Sequence, residues 1–458
     1  MKKSLLLLSF FCLWLSGGVL AQNTMQQCGM EQLRNQLIAS YPYARQYFDT
    51  LPQYMQTLTE AYLEAKHTTA NKVTSTITIP VVFHIVLRQA QINQLGGEAG
   101  IRERVLSQIE ALNEDFNKLN PDLSQVPSAF VPLIGNANIK FGLAHRMPNG
   151  LSTEGYEIIV TEKPGFELAN GTTGSGFAGS DAKYAISGGA NAWETSKYLN
   201  IWVINPIVSG GALTLGVAVP PYIVNNFGVP SAEKGIVLHY GAFGRRTSSS
   251  QFFLSNNDKG RTLTHEIGHM LGLFHIWGDV DGCPPGSPDD GIADTPPQEK
   301  ANFNCPVYPS ISCSNGPNGD MFMNFMDYVD DPCMFLFTQG QVDRMQTMLS
   351  LPQESLGLTQ HPELLEWPTS VWEAETQREV YFYPNPVDEG RLTITLSNIV
   401  GLREITVTNI MGQPVAPAIK AIPQNNKYDI DLTHCNSGVY FVRCIFESES
   451  LIRKIIVK

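Results

Sequence analysis

His265-Glu266-Ile267-Gly268-His269-Met270-Leu271-Gly272-Leu273-Phe274-His275 is the stretch from which the fold is read. Residues four apart on a helix lie about 40° apart on one face, roughly 6 Å along the axis. His265 and His269 therefore reach one metal ion together. Glu266 sits beside the first ligand, placed to hold a water rather than the metal. His275 is six residues further on, about 240° round, so it joins only if the helix ends first. Gly272 supplies that end, because glycine adopts the positive φ of a helix C-terminus. The pattern predicts a zinc site of His265, His269 and His275 with a general base, Glu266, next to it.

Downstream, Asn324-Phe325-Met326-Asp327-Tyr328 places Met326 51 residues after His275. The two motifs together resemble the metzincins, in which a methionine turn lies beneath three histidines. Several runs narrow the resemblance to the pappalysin family. They are Gly278-Asp279 through Cys283, Asp294-Thr295-Pro296, the methionine turn, Asp331-Pro332-Cys333 and Thr338 to Met345. Residue 276 is Ile, where astacins carry glutamate.

The resemblance implies a zinc metalloendopeptidase acting on protein or peptide substrates. It implies an α/β (α+β) metzincin catalytic domain with an active-site helix and methionine turn. Tyr328 takes either an oxyanion-donor role or a packing role. Leu215-Gly216-Val217-Ala218 is either a substrate-pairing edge strand or one more core strand. Asp327, Asp330 and Asp331 follow the methionine turn, and a buried carboxylate there selects arginine or lysine after the cut bond; each is alternatively a surface or calcium group. The resemblance also implies calcium in the acidic loop after Gly278, with Asp290, Asp294 and Thr295 as candidate ligands. Four cysteines allow three pairings; the resemblance favours Cys283–Cys313 and Cys305–Cys333.

The chain has 458 residues, 43% hydrophobic and 16% charged, with net charge −12. That supports a sizeable core and argues against nucleic-acid or anionic-membrane partners. Lys2-Lys3, an apolar run from Leu5 to Leu15 and Val19-Leu20-Ala21 read as a signal peptide, 1–21. No later segment is long and apolar enough to span a membrane. Residues 22–70 are polar with helical spacing and read as a propeptide. Cys28 is the odd cysteine of an exported chain. It is either a free or dimer-forming thiol, or the fourth zinc ligand of a latent zymogen, a cysteine switch that the resemblance allows.

Residues 71–350 read as the catalytic domain. It opens on the β-rich Ile77–Leu87, where His84 is a core histidine. Helical spacing runs from Ile101 to Lys118, and strands are expected at 138–144 and 198–206. Residues 351–378 read as a linker. Residues 379–458 alternate as short strands between turns and predict an all-β sandwich. The opening Tyr383-Pro384-Asn385-Pro386 and the ending Arg453 to Lys458 resemble the sorting domain of type IX secretion. That implies the type IX machinery as a partner and a secreted or cell-surface location. A non-catalytic binding module or adhesin on the same scaffold is the competing function. Loss of Glu266 or of a histidine would signal it, and all four residues are present.

Overall fold

The computed structural model describes residues 25–68, 76–168, 180–207, 213–279, 281–283, 290–351, 357–367, 380–396, 402–409, 412–415, 419–420, 427–446 and 450–458. The expected signal peptide, and most of the expected linker, lie outside these residues.

The larger unit begins with strand β1 (Met25–Cys28), helix α1 (Met30–Ser40) and helix α2 (Ala44–Thr68). The chain turns between the two helices at Tyr41-Pro42, because a residue before proline is pushed out of the helical region. Strand β2 (Ile77–Leu87) follows, then helix α3 (Gly97–Asp115), β3 (Ile139–Leu143), β4 (Tyr156–Val160) and β5 (Leu199–Ile204). Next come β6 (Leu213–Val219), the short helix α4 (Pro221–Phe227) and β7 (Gly235–His239). Helix α5 (Arg261–Met270), the two-residue strands β8 (Phe303–Asn304) and β9 (Tyr328–Val329), and helix α6 (Gln339–Ser350) complete the unit.

One seven-stranded sheet runs β1-β6-β7-β5-β2-β3, with β4 also paired to β2. β2 pairs with β3 through its first half and with β4 through its second. Its residues from Ile79 to Leu87 are all buried, which explains an almost unbroken apolar run instead of an alternating one. His84 lies in this core, between Glu157 and Asn200. β5 and β7 continue the parallel part, and β6 turns antiparallel to β7. The outer edge of β6 is covered by β1, which runs parallel to it with Cys28 opposite Gly216. Helix α5 packs beneath β6 and β7. The proposed substrate strand and the histidine helix are therefore neighbours.

Two disulfides, Cys283–Cys313 and Cys305–Cys333, close the loops after the active-site helix. These are the pairings implied by the resemblance. The smaller unit has its own core, built on Val387, Leu392, Ile394, Val407, Val442 and Ile455. Its three-stranded and four-stranded antiparallel sheets form the expected sandwich. Among the described residues, no helix is long and apolar enough to cross a membrane.

Candidate active site

α5 ends where the motif requires it. Gly272 has φ +88°, and the Leu273 amide donates back to the Gly268 carbonyl (3.0 Å). That reversal brings His275 round to the other two histidines. Nε2 of His269 lies 3.1 Å from Nε2 of His265 and 3.0 Å from Nε2 of His275. The Nδ1 atoms face outward onto acceptors: the Phe325 carbonyl (2.7 Å) for His265, the Leu273 carbonyl (2.9 Å) for His269, and the Asp279 carboxylate for His275. A carbonyl oxygen only accepts hydrogen bonds, so Nδ1 of His265 and of His269 carries the ring hydrogen and donates it, and Nε2 carries a lone pair. Burial pushes His265 down to about 3 and His269 well below its usual value, which keeps both rings neutral. Lone pairs converging on one point repel each other unless a cation lies between them. The donor set fits zinc.

The fourth donor is a thiol. Metal-binding atoms of Cys28, His265, His269 and His275 all lie within 4.8 Å of one another, and all four residues are buried. The strand pairing of β1 puts Cys28 there, with the Gly29 amide donating to the Gly216 carbonyl (2.8 Å). Burial, reinforced by the neighbouring Glu266 carboxylate, pushes the Cys28 thiol up. A cation at the centre reverses that balance by favouring the thiolate.

Glu266 is fully buried, and burial pushes its carboxyl up to about 8. Gly216 is the reason it fits beneath β6. A Cβ there would lie 2.7 Å from Glu266 Cγ and Oε1. Met326 is fully buried, with the Ile276 amide donating to its carbonyl (3.2 Å). Its turn is held by Asn324, which exchanges hydrogen bonds with Gln341 of α6 (2.8 and 3.0 Å). Gln341 also closes the capping box of α6 with Thr338. The Tyr328 ring packs 4.7 Å from that of His275, and its hydroxyl donates to the Cys28 carbonyl (3.5 Å).

The three aspartates have different surroundings. Asp327 accepts from Gln298, Asn302 and the Tyr328 amide. Asp330 accepts from Asn256 (2.8 Å). Asp331 alone joins Leu215, Asn257, Thr262, His265 and Met334 around a small pocket beside the first histidine. Of the candidate calcium ligands, Asp294 instead meets the α6 N-terminus, accepting from Gly340 N (2.8 Å) and Thr338 Oγ1 (2.7 Å). Asp290 accepts from the Ile292 amide and the Thr295 hydroxyl. Among the described residues, the one group of three or more histidine, cysteine or carboxylate side chains able to hold a metal is the Cys28–histidine cluster.

Residues 186–350 match the peptidase family described as pregnancy-associated plasma protein-A. Among solved structures, Tannerella forsythia mature mirolysin with a cleaved peptide is 41% identical, at TM-score 0.54. That match covers 64% of this chain and 100% of mirolysin. A promirolysin mutant from the same organism is 36% identical at TM-score 0.57, covering 75% of this chain and all of its own. The chain belongs to the pappalysin family. Extracellular metalloproteases of Arthroderma otae and Coccidioides posadasii are 43% and 45% identical over 91 residues, 20% of this chain. The match spans about a third of the length of these curated relatives, 32% and 31%. Residues 381–458 of this pappalysin match a secretion system C-terminal sorting domain, so it is an exported protein, secreted or held at the cell surface.

Some functional residues of the pappalysin were not assigned from its sequence. In the sequence Asp279 stands only within a family motif; the structure makes it the partner of His275. Trp277, stacked 4.5 Å from the His275 ring, carries no sequence assignment. Its place two residues after a ligand was the available signal. Nothing in the sequence marks the Phe325 and Leu273 carbonyls, since every residue has one.

Proposed function

We propose that the chain is a zinc-dependent endopeptidase, exported as a latent precursor, that cuts peptide bonds before basic residues. The observation that carries this reading is the convergence of three Nε2 lone pairs beside the buried Glu266, directly under strand β6. His265, His269 and His275 hold the metal. Zinc, when bound, acidifies a water and polarises the carbonyl it meets. Glu266 accepts a proton from the attacking water and returns it to the leaving amine. A raised carboxyl pKa suits both directions of that transfer. Tyr328 donates to the carbonyl oxygen as negative charge grows there. It already directs its hydroxyl at a backbone carbonyl, that of Cys28. Leu215 to Ala218 pair with an extended substrate along the edge that β1 covers in this form.

Asp331 in the pocket beside His265 supports arginine or lysine after the cut bond. Cys28 at the histidines supports latency: its thiolate fills the fourth position and keeps water from Glu266. On this reading residues 1–21 are the signal peptide, 22–70 the propeptide, 71–350 the catalytic domain and 379–458 the part that engages the type IX machinery. Calcium in the loop after Gly278 rests on the family resemblance alone; residues 280 and 284–289 of that loop lie outside the described residues.

The test is cleavage of a peptide library by the matured enzyme, with and without a zinc chelator. Chelator-sensitive cuts before arginine or lysine are expected. Activity that survives chelation overturns the metal reading, and an apolar preference after the cut removes Asp331 from the specificity pocket.

A further inference from the structure

The segment read as the propeptide touches more than the metal centre. After Cys28 the chain follows the direction of β6 towards α4, and there four aromatic rings close on Phe227. Tyr43 and Phe48 stack on it at 5.5 and 5.6 Å, while Tyr41 and Tyr47 meet it edge-on at 5.4 and 5.2 Å. Phe227 is 2% exposed in this form. The neighbouring Asn226 serves the phenols. Its carbonyl accepts from the Tyr43 hydroxyl at 2.8 Å, and its side-chain amide donates to the Tyr47 hydroxyl at 3.1 Å. Beside the cluster, α2 leaves a groove open against Tyr222, Asn226 and Met348. This surface therefore offers an aromatic face, a hydroxyl acceptor and a hydroxyl donor within two residues. That combination fits tyrosine better than an aliphatic side chain.

Its position gives the surface a use once the propeptide has gone. Leu215, near the start of β6, lines the pocket for the residue after the cut bond. β6 then runs away from that pocket to Val219, and Pro220-Pro221 lead directly into α4. The end of α4 thus lies where the part of a substrate before the cut bond leaves the strand.

We infer that Asn226 and Phe227 form a tyrosine-binding subsite of the mature enzyme. It engages a tyrosine on the N-terminal flank of a protein substrate, and Tyr43 and Tyr47 occupy it in the precursor. The inference rests on the peptidase reading and on removal of the propeptide. The occupant is assigned by chemistry already displayed at the site: the Tyr43 ring stacked on Phe227 and the Tyr47 ring edge-on to it, each with its hydroxyl on Asn226. The surface is continuous with the strand edge that substrates are proposed to use.

The experiment uses enzyme matured from the full chain and loaded with zinc. Its substrates are peptides that share one arginine-directed cut site and are extended N-terminally, with a single tyrosine walked along an alanine background. At one placement the tyrosine peptide is expected to exceed its alanine counterpart in kcat/KM by roughly two- to tenfold, the range supplied by an aromatic pair. Phenylalanine at that placement is expected to give a smaller gain. In Phe227→Ala the tyrosine-to-alanine ratio falls towards one. Phe227→Leu, which keeps apolar bulk but no ring, does the same with its melting temperature held near the wild type. No gain at any placement, or a gain that survives both substitutions, overturns the subsite. Failure to cut any of the peptides overturns the peptidase reading, and the subsite with it.

Discussion

At the scale of single residues the proposed mechanism separates groups that hold the metal from groups that move protons. Glu266→Ala removes the proton acceptor and leaves the three Nε2 atoms in place. The expected outcome is normal zinc content and melting with kcat/KM down by about 10²–10⁴. Near wild-type turnover in a zinc-loaded sample would falsify the assignment. Tyr328→Phe keeps the ring against His275 and deletes one donor to the developing negative charge. Its kcat is expected to fall roughly 10²–10³-fold with KM little changed, and an unchanged kcat would assign the tyrosine to packing alone. His265, Glu266 and His269 were legible because their spacing puts them on adjacent turns of one helix, and His275 because Gly272 ends that helix before it. The hydrogen bonds that orient the rings were not. Two of the three acceptors are backbone carbonyls, whose position comes only from the chain path, and the third is Asp279, whose geometry needed the turn at Gly278.

At the scale of elements, the helix that carries the site is fixed at its first residue. Arg261 makes a two-pronged contact with Asp122 (2.7 Å on each side) and donates to the Asp331 carbonyl (2.9 Å). Both Arg261 and Asp122 are buried. Burial alone would raise the Asp122 carboxyl, but the Arg261 hydrogen bonds outweigh it and hold the group well below the usual carboxylate range. Arg261→Met leaves that carboxylate buried without its main partner, and about 3–5 kcal/mol of stability should be lost near neutral pH. A depressed carboxylate contributes stability that is present above its unfolded value, near ~3.9, and disappears as pH falls through the folded value. The gap between wild type and variant in urea unfolding should therefore narrow as the medium is acidified below that range. A gap that stays constant or widens in acid would show that Arg261 acts through packing. α3 was readable in the sequence because its apolar residues recur at helical spacing, and β2, β3 and β5 because each is a short apolar, strand-forming run. β1 was not. Met-Gln-Gln-Cys has no strand signature, and it is extended because the open edge of β6 supplies its hydrogen bonds.

At the scale of the whole molecule, two units with separate cores divide catalysis from delivery. Removing residues 380–458 should block surface delivery in the native host and leave the purified remainder as active as the full chain; normal export of the shortened protein would sink the sorting role. The proposed latency would also be a property of the whole chain, resting on several contacts at once. Cys28 lies at the histidines, β1 covers the strand edge, and the aromatic residues from Tyr41 to Phe48 clasp Phe227. If the enzyme cuts before arginine, its own propeptide offers the bonds before Arg34 and Arg45. The folded precursor shields both. Leu33 is buried inside α1, and Ala44 is buried in the first turn of α2. A protease of this type needs an extended chain along its strand edge, so the first cut must wait for local opening of the propeptide. As the proposed fourth ligand, Cys28 would oppose that opening and also keep catalytic water out of any molecule that has not opened. Cys28→Ala removes both restraints while the aromatic clasp stays. The variant precursor should mature with a shorter lag, and Cys28→Ala combined with Glu266→Ala should accumulate uncut, because self-processing needs the base. A time course by mass spectrometry reads the lag and the new N-terminus together. A Cys28→Ala precursor that matures no faster than wild type would show that the strand and the clasp hold the precursor latent without the thiol.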